Sequence, residues 1–423
     1  MFRKAMLALV LVSSVSALVS AEIKFDTLNN TSLQQEISAM ELTLPEAAPA
    51  MAEDKAAQKE WTVMVFLNSK NNLEKYGLLD VNEMEKIGSS DKVNIVVEMG
   101  RINGYSTADG DWKTTRRFLV QKDNDFSKIT SPVLADLGKT DMGDYKSLVS
   151  FVNWAKAAYP AKKYVLIVWN HGSGWDKSRA MDVTKGISYD DETGNHITTP
   201  QLGLALKEMG GVNVYGSDAC LMQIPEVTYE IKNYTEYIVG SEETEPGDGY
   251  TYDLWLGPVV AKPTMSSYEM GKAAVDGYSN HYQSIGQAST QSLLKSSALN
   301  DFTVLVNDFV LSAMDTGEKA LVKTAAGGSQ SYAVYDNKDM GHFFDRYAAT
   351  TANADVKMKA LALKSYIDGS LIVHNRVNGN FANGNSHGIA AYMPSYSFNG
   401  AYNNLAWARD SQWDEFIKWY QAK

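Results

Sequence analysis

The stretch YVLIVWNHGSGW, residues 164–175, combines a strand signal with a loop of chemically active residues. Residues 164–170 are mostly β-branched or aromatic, which predicts a buried strand. His171 follows directly, and Gly172 and Gly174 come just after it. The histidine is therefore expected in a loop at the carboxyl end of a strand.

A second strand, VNVYGSD at residues 212–218, leads into Ala219 and Cys220. A helix with Pro225 at an early position is predicted immediately afterwards. In an open parallel sheet, ligands bind outside the carboxyl ends of the strands. One crossover unit separates the two strands, so we expect His171 and Cys220 to lie at the same edge of the sheet.

The pattern of short apolar strands and amphipathic helices continues on both sides. Further strands are predicted at residues 62–68, 93–99, 116–120 and 236–242, and helices at 72–87, 145–158, 199–209 and 224–234. This alternation predicts an α/β fold, a sandwich of helices on both faces of a mostly parallel sheet. We expect the core at residues 61–250, followed by a more helical C-terminal subdomain at 251–423 that packs on it.

The N-terminus has the layout of a secretory signal peptide. Arg3 and Lys4 precede an apolar run, which ends in small residues at Val19-Ser20-Ala21. The run is too short and too rich in Ser and Ala for a membrane anchor. We expect residues 1–21 to be removed, residues 22–60 to be a leader, linker or propeptide, and the protein to be periplasmic or extracellular without a membrane anchor.

Charge and cysteine content narrow the possible functions. The formal net charge is −11, and loss of residues 1–21, with two basic and no acidic residues, changes it to −11 − 2 = −13. Such an acidic chain without a long basic stripe disfavours nucleic acid as a partner. Cys220 is the single cysteine, so it forms no internal disulfide and is either a packing residue or a reactive thiol.

Cys220 and His171 have the chemistry of a nucleophile and its base. The thiolate attacks carbonyls, and a nearby imidazole can remove the proton from the thiol. The backbone amides of Gly172 and Cys220 are candidates for stabilising the oxyanion that forms. The alternative is a structural histidine and a packing cysteine, which each residue alone would favour.

Three blocks of sequence stand out: WNHGSGW at 169–175, GSDACLM at 216–222 and SEETEPGDGY at 241–250. They resemble the clostripain family of cysteine peptidases, and weaker similarity extends over roughly residues 61–423. The resemblance implies a caspase-like fold, a catalytic dyad of His171 and Cys220 without an obligatory third member, and cleavage of proteins or peptides after Arg or Lys.

An acidic, glycine-containing loop follows the predicted strand at 236–242. A carboxylate in a partly desolvated pocket selects Arg or Lys through a charge-assisted hydrogen bond. The resemblance points to Asp248 as the main pocket acid, with Asp218, close to Cys220, as a second candidate. A solvated acidic loop is the alternative.

The resemblance also implies that the enzyme is made as a zymogen and cuts itself between His171 and Cys220. The polar loop at 176–187 contains basic residues that such an enzyme would recognise. We expect cleavage after Lys185, with Arg179 as the second choice.

Calcium is a further possibility, because some members of the family depend on it. Asp190 and Asp191, followed by Glu192, supply the hard oxygen ligands that Ca²⁺ accepts, although their spacing is not that of an EF-hand. No metal or other cofactor is assigned to the chemistry.

The sequence therefore predicts an exported cysteine endopeptidase. One alternative is an inactive exported binding protein on the same fold. Another is a peptidase with the same dyad that prefers Asn or Asp at the cleaved bond, which the carboxylates of the acidic loop disfavour for Asp.

Overall fold

The computed structural model describes residues 58–175 and 186–422. The strands of this part are, in chain order, β1 (Lys59–Ser69), β2 (Val93–Arg101), β3 (Thr115–Leu119), β4 (Val133–Asp136), β5 (Ala161–Trp169), β6 (Gly186–Asp190), β7 (Asn195–Thr198), β8 (Val212–Asp218), β9 (Thr235–Gly240), β10 (Ser289–Lys295), β11 (Asn337–Asp339), β12 (Ile372–Asn378) and β13 (Ala390–Tyr392).

The α-helices of the same part are α1 (Glu74–Ile87), α2 (Tyr145–Ala158), α3 (Thr199–Glu208), α4 (Pro225–Ile231), α5 (Tyr252–Ala261), α6 (Ser267–Ser284), α7 (Leu299–Thr316), α8 (Lys319–Gly328), α9 (Met340–Thr350), α10 (Ala354–Tyr366), α11 (Ala406–Asp410) and α12 (Trp413–Gln421). Helix α3 begins with a capping box between Thr198 and Gln201. No helix within the described ranges has the length and apolar content needed to cross a membrane.

Nine strands form one sheet in the order β12-β10-β9-β8-β5-β1-β2-β3-β4. The five central strands, β9, β8, β5, β1 and β2, pair in parallel. Strands β3 and β4 add antiparallel pairing at one side, and β10 and β12 add it at the other. The predicted parallel core of the sheet is confirmed.

Both faces of the sheet are covered by helices. In β1, Met64 and Phe66 belong to one core, whereas Val63, Val65 and Leu67 belong to the other, because successive side chains of a strand point to opposite faces. Residues of α1, α5 and α6 complete the second core, and residues of α2, α3, α4 and α7 pack on the first. The predicted α/β/α sandwich is therefore confirmed.

The region after residue 250 contributes to the sheet as well as to the helical layers. Strands β10 and β12 come from this region, and β10 pairs with β9 next to the strand that ends at Asp218. The proposed division into a core and a C-terminal subdomain at residue 250 stays a prediction. The expected signal peptide and most of the expected leader lie outside the described residues.

Candidate active site

His171 and Cys220 follow two neighbouring parallel strands, β5 and β8, at the same edge of the sheet. Trp169 at the end of β5 lies opposite Asp218 at the end of β8. His171 and Cys220 each follow two residues later, so both lie at the carboxyl edge of the sheet. The predicted arrangement at the strand ends is the one observed.

His171 and Cys220 line the same cavity, which has a volume of about 210 Å³. The other lining residues come from the two strand ends, from the start of α1 and from the acidic loop: Leu73, Trp169, Asn170, Asp218, Ala219, Glu245, Pro246, Gly247 and Gly249. Two larger cavities, of about 440 and 430 Å³, meet at Thr235 and contain neither cysteine nor histidine.

The thiol of Cys220 is half-buried and is held against the acidic loop. The backbone N–H of Glu245 donates a hydrogen bond to Sγ at 3.3 Å. Leu221, directly after the cysteine, adopts a left-handed backbone with φ of 64°, an uncommon conformation for a residue with a large side chain.

Burial raises the pKa of the Cys220 thiol, and the charges of Glu243 and Asp218 raise it further. The thiol is therefore protonated at neutral pH.

The imidazole of His171 is held by a hydrogen bond to Asn72. Its Nε2 lies 2.7 Å from Oδ1 of Asn72, an oxygen that can only accept, so Nε2–H donates. Burial lowers the pKa of His171, and the carboxylate of Asp191 opposes this effect in part. The ring is thus neutral at neutral pH, with Nδ1 as its basic nitrogen. The sequence did not single out Asn72, which is one of several polar residues in its loop.

Gly172 packs directly on the backbone of the nucleophile. A methyl group built on Gly172 would lie 2.5 Å from the carbonyl oxygen of Cys220 and 3.1 Å from its nitrogen. A contact of 2.5 Å is shorter than real Cβ contacts, so an alanine at this position would force the backbone of Cys220 to move. The candidate oxyanion donors Gly172 and Cys220 are consequently neighbours in space.

Asp218 is a buried carboxylate on the cavity wall. It accepts hydrogen bonds from the backbone N–H of Tyr250 at 3.1 Å and from the hydroxyl of Tyr252 at 2.8 Å. Burial raises the pKa of Asp218 to about 6, and its hydrogen bonds limit the increase. At neutral pH this group is therefore an anion.

Glu245 forms a carboxyl pair with Asp218. Burial raises the pKa of Glu245 well above its usual range, and the negative charge of Asp218 adds to this effect. A hydrogen bond between the two side chains lowers the pKa of Asp218. Glu245 therefore holds the proton of the pair and Asp218 holds the charge, a division that no sequence pattern indicates.

A third carboxyl, Asp80 of α1, lies behind the same wall. It accepts a hydrogen bond from the indole N–H of Trp169 at 2.6 Å. Its other oxygen has no hydrogen-bond partner among the described residues. Burial, followed by the charge of Asp218, raises the pKa of Asp80 well above its usual range.

The remaining sequence candidates lie elsewhere. Asp248 is exposed and does not line the cavity, although its charge acts on Asp80. No observation tests its expected role as the main pocket acid, and Asp218, the second candidate, is the one that lines the cavity. Lys185 and Arg179, the expected processing sites, lie outside the described residues.

The side chains of the calcium candidates Asp190 and Asp191 already accept hydrogen bonds from other residues of the protein. Asp190 accepts hydrogen bonds from the backbone N–H groups of Met142, Glu192 and Thr193, and one of its oxygens lies 3.4 Å from Nζ of Lys70. Asp191 accepts a hydrogen bond from the hydroxyl of Tyr105. No cluster of three or more potential metal ligands occurs in the described ranges. A neighbouring ammonium group does not suit a cation site, and we derive no step through calcium.

A thiol and an imidazole that line one cavity at the carboxyl edge of an α/β/α sandwich are the arrangement expected of a cysteine hydrolase. The model of the clostripain family matches residues 65–420, so the chain belongs to this family of C11 cysteine proteases. The curated relative clostripain, from Hathewaya histolytica, is 27% identical over 225 residues, which are 47% of this chain and 42% of that protein. The matched region thus spans less than half of the length of that relative.

Two solved structures share the fold at 18% sequence identity. A secreted C11 cysteine protease from Bacteroides thetaiotaomicron, in complex with an irreversible peptide inhibitor, superimposes with a TM-score of 0.66 and covers 84% of this chain and 99% of its own. An inactive zymogen C11 protease from Parabacteroides distasonis has a TM-score of 0.60 and covers 84% and 98%. The caspase-like fold is confirmed by these similarities.

Proposed function

We propose that this protein is an exported endopeptidase that cleaves after Arg or Lys, with Cys220 as nucleophile and His171 as proton carrier. The observation that supports this most strongly is the composition of one cavity. It holds a thiol, a neutral imidazole and the buried carboxylate of Asp218. Membership of the clostripain family supports cysteine protease chemistry, and the carboxylate supports the preference for a cation.

The reaction begins with proton transfer from the thiol, because Cys220 is protonated and His171 is neutral in the resting state. Nδ1 of His171 takes the proton as Sγ attacks the carbonyl carbon of the scissile peptide. The negative charge that develops on the carbonyl oxygen is stabilised by the backbone N–H groups of Gly172 and Cys220.

The tetrahedral intermediate collapses when His171 returns its proton to the leaving amine. The new amino terminus departs, and a thioester joins Cys220 to the acyl part of the substrate. Water then attacks the thioester while His171 accepts one of its protons. Release of the carboxylic acid and return of that proton to the thiolate restore the enzyme.

The substrate side chain before the cleaved bond enters beside Asp218. A guanidinium or ammonium group there gains a charge-assisted hydrogen bond in a partly desolvated site. Tyr250 and Tyr252 hold the carboxylate in place. An Asn side chain lacks the charge to compensate Asp218, and an Asp side chain would add a second negative charge beside it.

Export and self-processing belong to the same proposal. The signal-like residues 1–21 support export, and the similarity in fold to a protease described as secreted agrees with it. A basic loop between His171 and Cys220 supports cleavage after Lys185 or, as second choice, Arg179. One similar structure is of a zymogen, which agrees with this mode of activation.

Fluorogenic peptides that end in Arg, Lys, Asn or Asp test the proposal, with wild-type protein compared with Cys220→Ala and His171→Ala. We expect turnover of the Arg and Lys peptides by wild type and none by either variant. Turnover that persists in Cys220→Ala would exclude this nucleophile. Turnover of the Asn peptide alone would exclude the basic preference, and a folded wild type inactive on all peptides would support the binding-protein alternative.

A further inference from the structure

We infer that Asn72 is a positioning residue that holds His171 in the tautomer and orientation required for catalysis. The inference rests on the dyad proposed above. The contact that supports it is a short hydrogen bond of 2.7 Å between Oδ1 of Asn72 and Nε2 of His171. This bond can form with both the neutral and the charged imidazole. Asn72 acts through the histidine and does not itself line the cavity of the substrate.

The topology of the sheet brings this asparagine to the histidine. Strand β1 pairs in parallel with β5, with Leu67 opposite Trp169. The loops that follow the two strands therefore emerge side by side. Asn72 lies in the first loop and His171 lies in the second, which accounts for contact between residues far apart in the sequence.

The backbone of the Asn72 loop is fixed by buried side chains on its inner side. Oδ1 of Asn68 accepts a hydrogen bond from the backbone N–H of Lys70 at 3.1 Å. Asn71 accepts one from the N–H of Leu73 at 2.9 Å and donates one to the carbonyl oxygen of Tyr189 at 3.0 Å. These hydrogen bonds fix the backbone on both sides of Asn72, whose own side chain is exposed.

The hydrogen bond selects one of the two neutral forms of the ring. Because the amide oxygen of Asn72 can only accept, the proton of neutral His171 resides on Nε2 and the lone pair resides on Nδ1. A ring with its proton on Nδ1 would lose this bond. Asn72 therefore keeps Nδ1 free to receive the proton of Cys220.

Asn72 also affects the charged form of the ring. When His171 accepts the proton of Cys220, the Nε2–H of the imidazolium continues to donate to the same oxygen. A hydrogen bond to a charged donor is stronger than one to a neutral donor, so the transition state gains more than the resting state. The carboxylate of Asp191 already acts on this ring and raises its pKa. Asn72 supplies orientation without a second negative charge.

Three variants test the inference, with kcat, KM and the pH profile of each measured on an Arg peptide. Asn72→Ala removes the acceptor, and we expect kcat to fall roughly ten- to a hundredfold with KM little changed. Asn72→Asp has nearly the same shape but adds a charge, and we expect the limb of the pH profile due to His171 to move up by about one pH unit. Asn124→Ala, an exposed asparagine between β3 and β4, is the control and should leave all three readouts unchanged.

A merely structural role for Asn72 predicts a different result. An Asn72→Ala variant with kcat within about twofold of wild type, or an Asn72→Asp variant with an unshifted pH profile, would overturn the inference. The melting temperatures of the variants identify any loss of kcat that comes from misfolding. If Asn72→Ala misfolds, the pH profile of the isosteric Asn72→Asp variant still tests the inference. His171→Ala separates the two proposals: if it is active, the dyad itself fails, and if it is inactive while both Asn72 variants behave as wild type, only the role of Asn72 fails.

Discussion

The hydroxyl of Tyr252 donates a hydrogen bond to Oδ2 of Asp218 at 2.8 Å, and this contact fixes the one buried anion on the wall of the proposed specificity cavity. Replacement of Asp218 by Asn should lower kcat/KM for Arg and Lys peptides by about a hundredfold, because the cation loses its buried counter-charge. Selectivity for these peptides over an Asn peptide should fall equally.

Asp248→Asn is the matched control for this measurement. Asp248 is exposed and lies outside the cavity lining, so we expect an effect below about tenfold. A larger loss in Asp248→Asn than in Asp218→Asn would return the main role to Asp248, as the family resemblance suggested.

The same Asp218→Asn variant should change stability in a pH-dependent manner. Burial raises the pKa of Asp218 to about 6 in the folded protein, whereas the same group in the unfolded chain loses its proton at lower pH. Wild type therefore loses stability as the pH rises through about 6, and the Asn variant escapes this loss. The free energy of unfolding of the variant relative to wild type should increase by about 1 kcal/mol between about pH 5 and pH 8. Urea unfolding at the two pH values measures it, and an equal difference at both would contradict the assignment.

Gly172→Ala should abolish most of the activity without unfolding the protein. The added methyl would displace the backbone of Cys220, and we expect kcat to fall by roughly a hundredfold, since small misplacements of this kind are costly. Gly327→Ala in α8 is the control, because a methyl group there meets no atom of the described residues within 4 Å. Wild-type activity in Gly172→Ala would show that the two loops are not held as tightly as their contact indicates.

Alkylation of Cys220 reports directly on its protonation. Because the pKa of the thiol is raised partly by Asp218, a small guanidinium compound bound beside that carboxylate should lower the thiol pKa. We expect such a compound to speed alkylation by iodoacetamide severalfold at neutral pH. The Asp218→Asn variant should show no such acceleration, and slower alkylation of wild type would indicate that the compound covers the thiol instead.

Processing between the histidine and the cysteine can be followed by N-terminal sequencing of the purified protein. We expect a new terminus at residue 186, produced by cleavage after Lys185, and none in Cys220→Ala. Lys185→Gln should block it or move it to Arg179. A fully active preparation that contains only intact chain would contradict processing as the route to activation.

Much of the fold could be predicted from sequence because its central strands are apolar. The segments that became β5 and β8 were recognised in this way, and with them the edge of the sheet that carries His171 and Cys220. Strand β10 was not recognised, since Ser289, Thr290 and Gln291 read as polar although all three are buried. Their partners lie far away along the chain, so no local pattern reveals them.

The site was predictable only in part, for a similar reason. His171 and Cys220 have unusual neighbours in sequence, whereas Asn72 acquires significance only when β1 pairs with β5. The charge of Asp218 and the proton of Glu245 depend on burial and on each other, which are properties of the folded protein.

The pairing of β10 with β9 brings residues from the C-terminal region into contact with the acidic loop. Gln291 of β10 donates a hydrogen bond to Glu245, and the hydroxyls of Thr290 and Ser241 lie 2.9 Å apart. The proposed specificity cavity is thus linked to a segment about forty residues beyond the acidic loop. Exchange of the C-terminal region between relatives would therefore also exchange residues that contact the proposed specificity cavity. A chimera joined at residue 250 should consequently differ from both parents in its substrate preference.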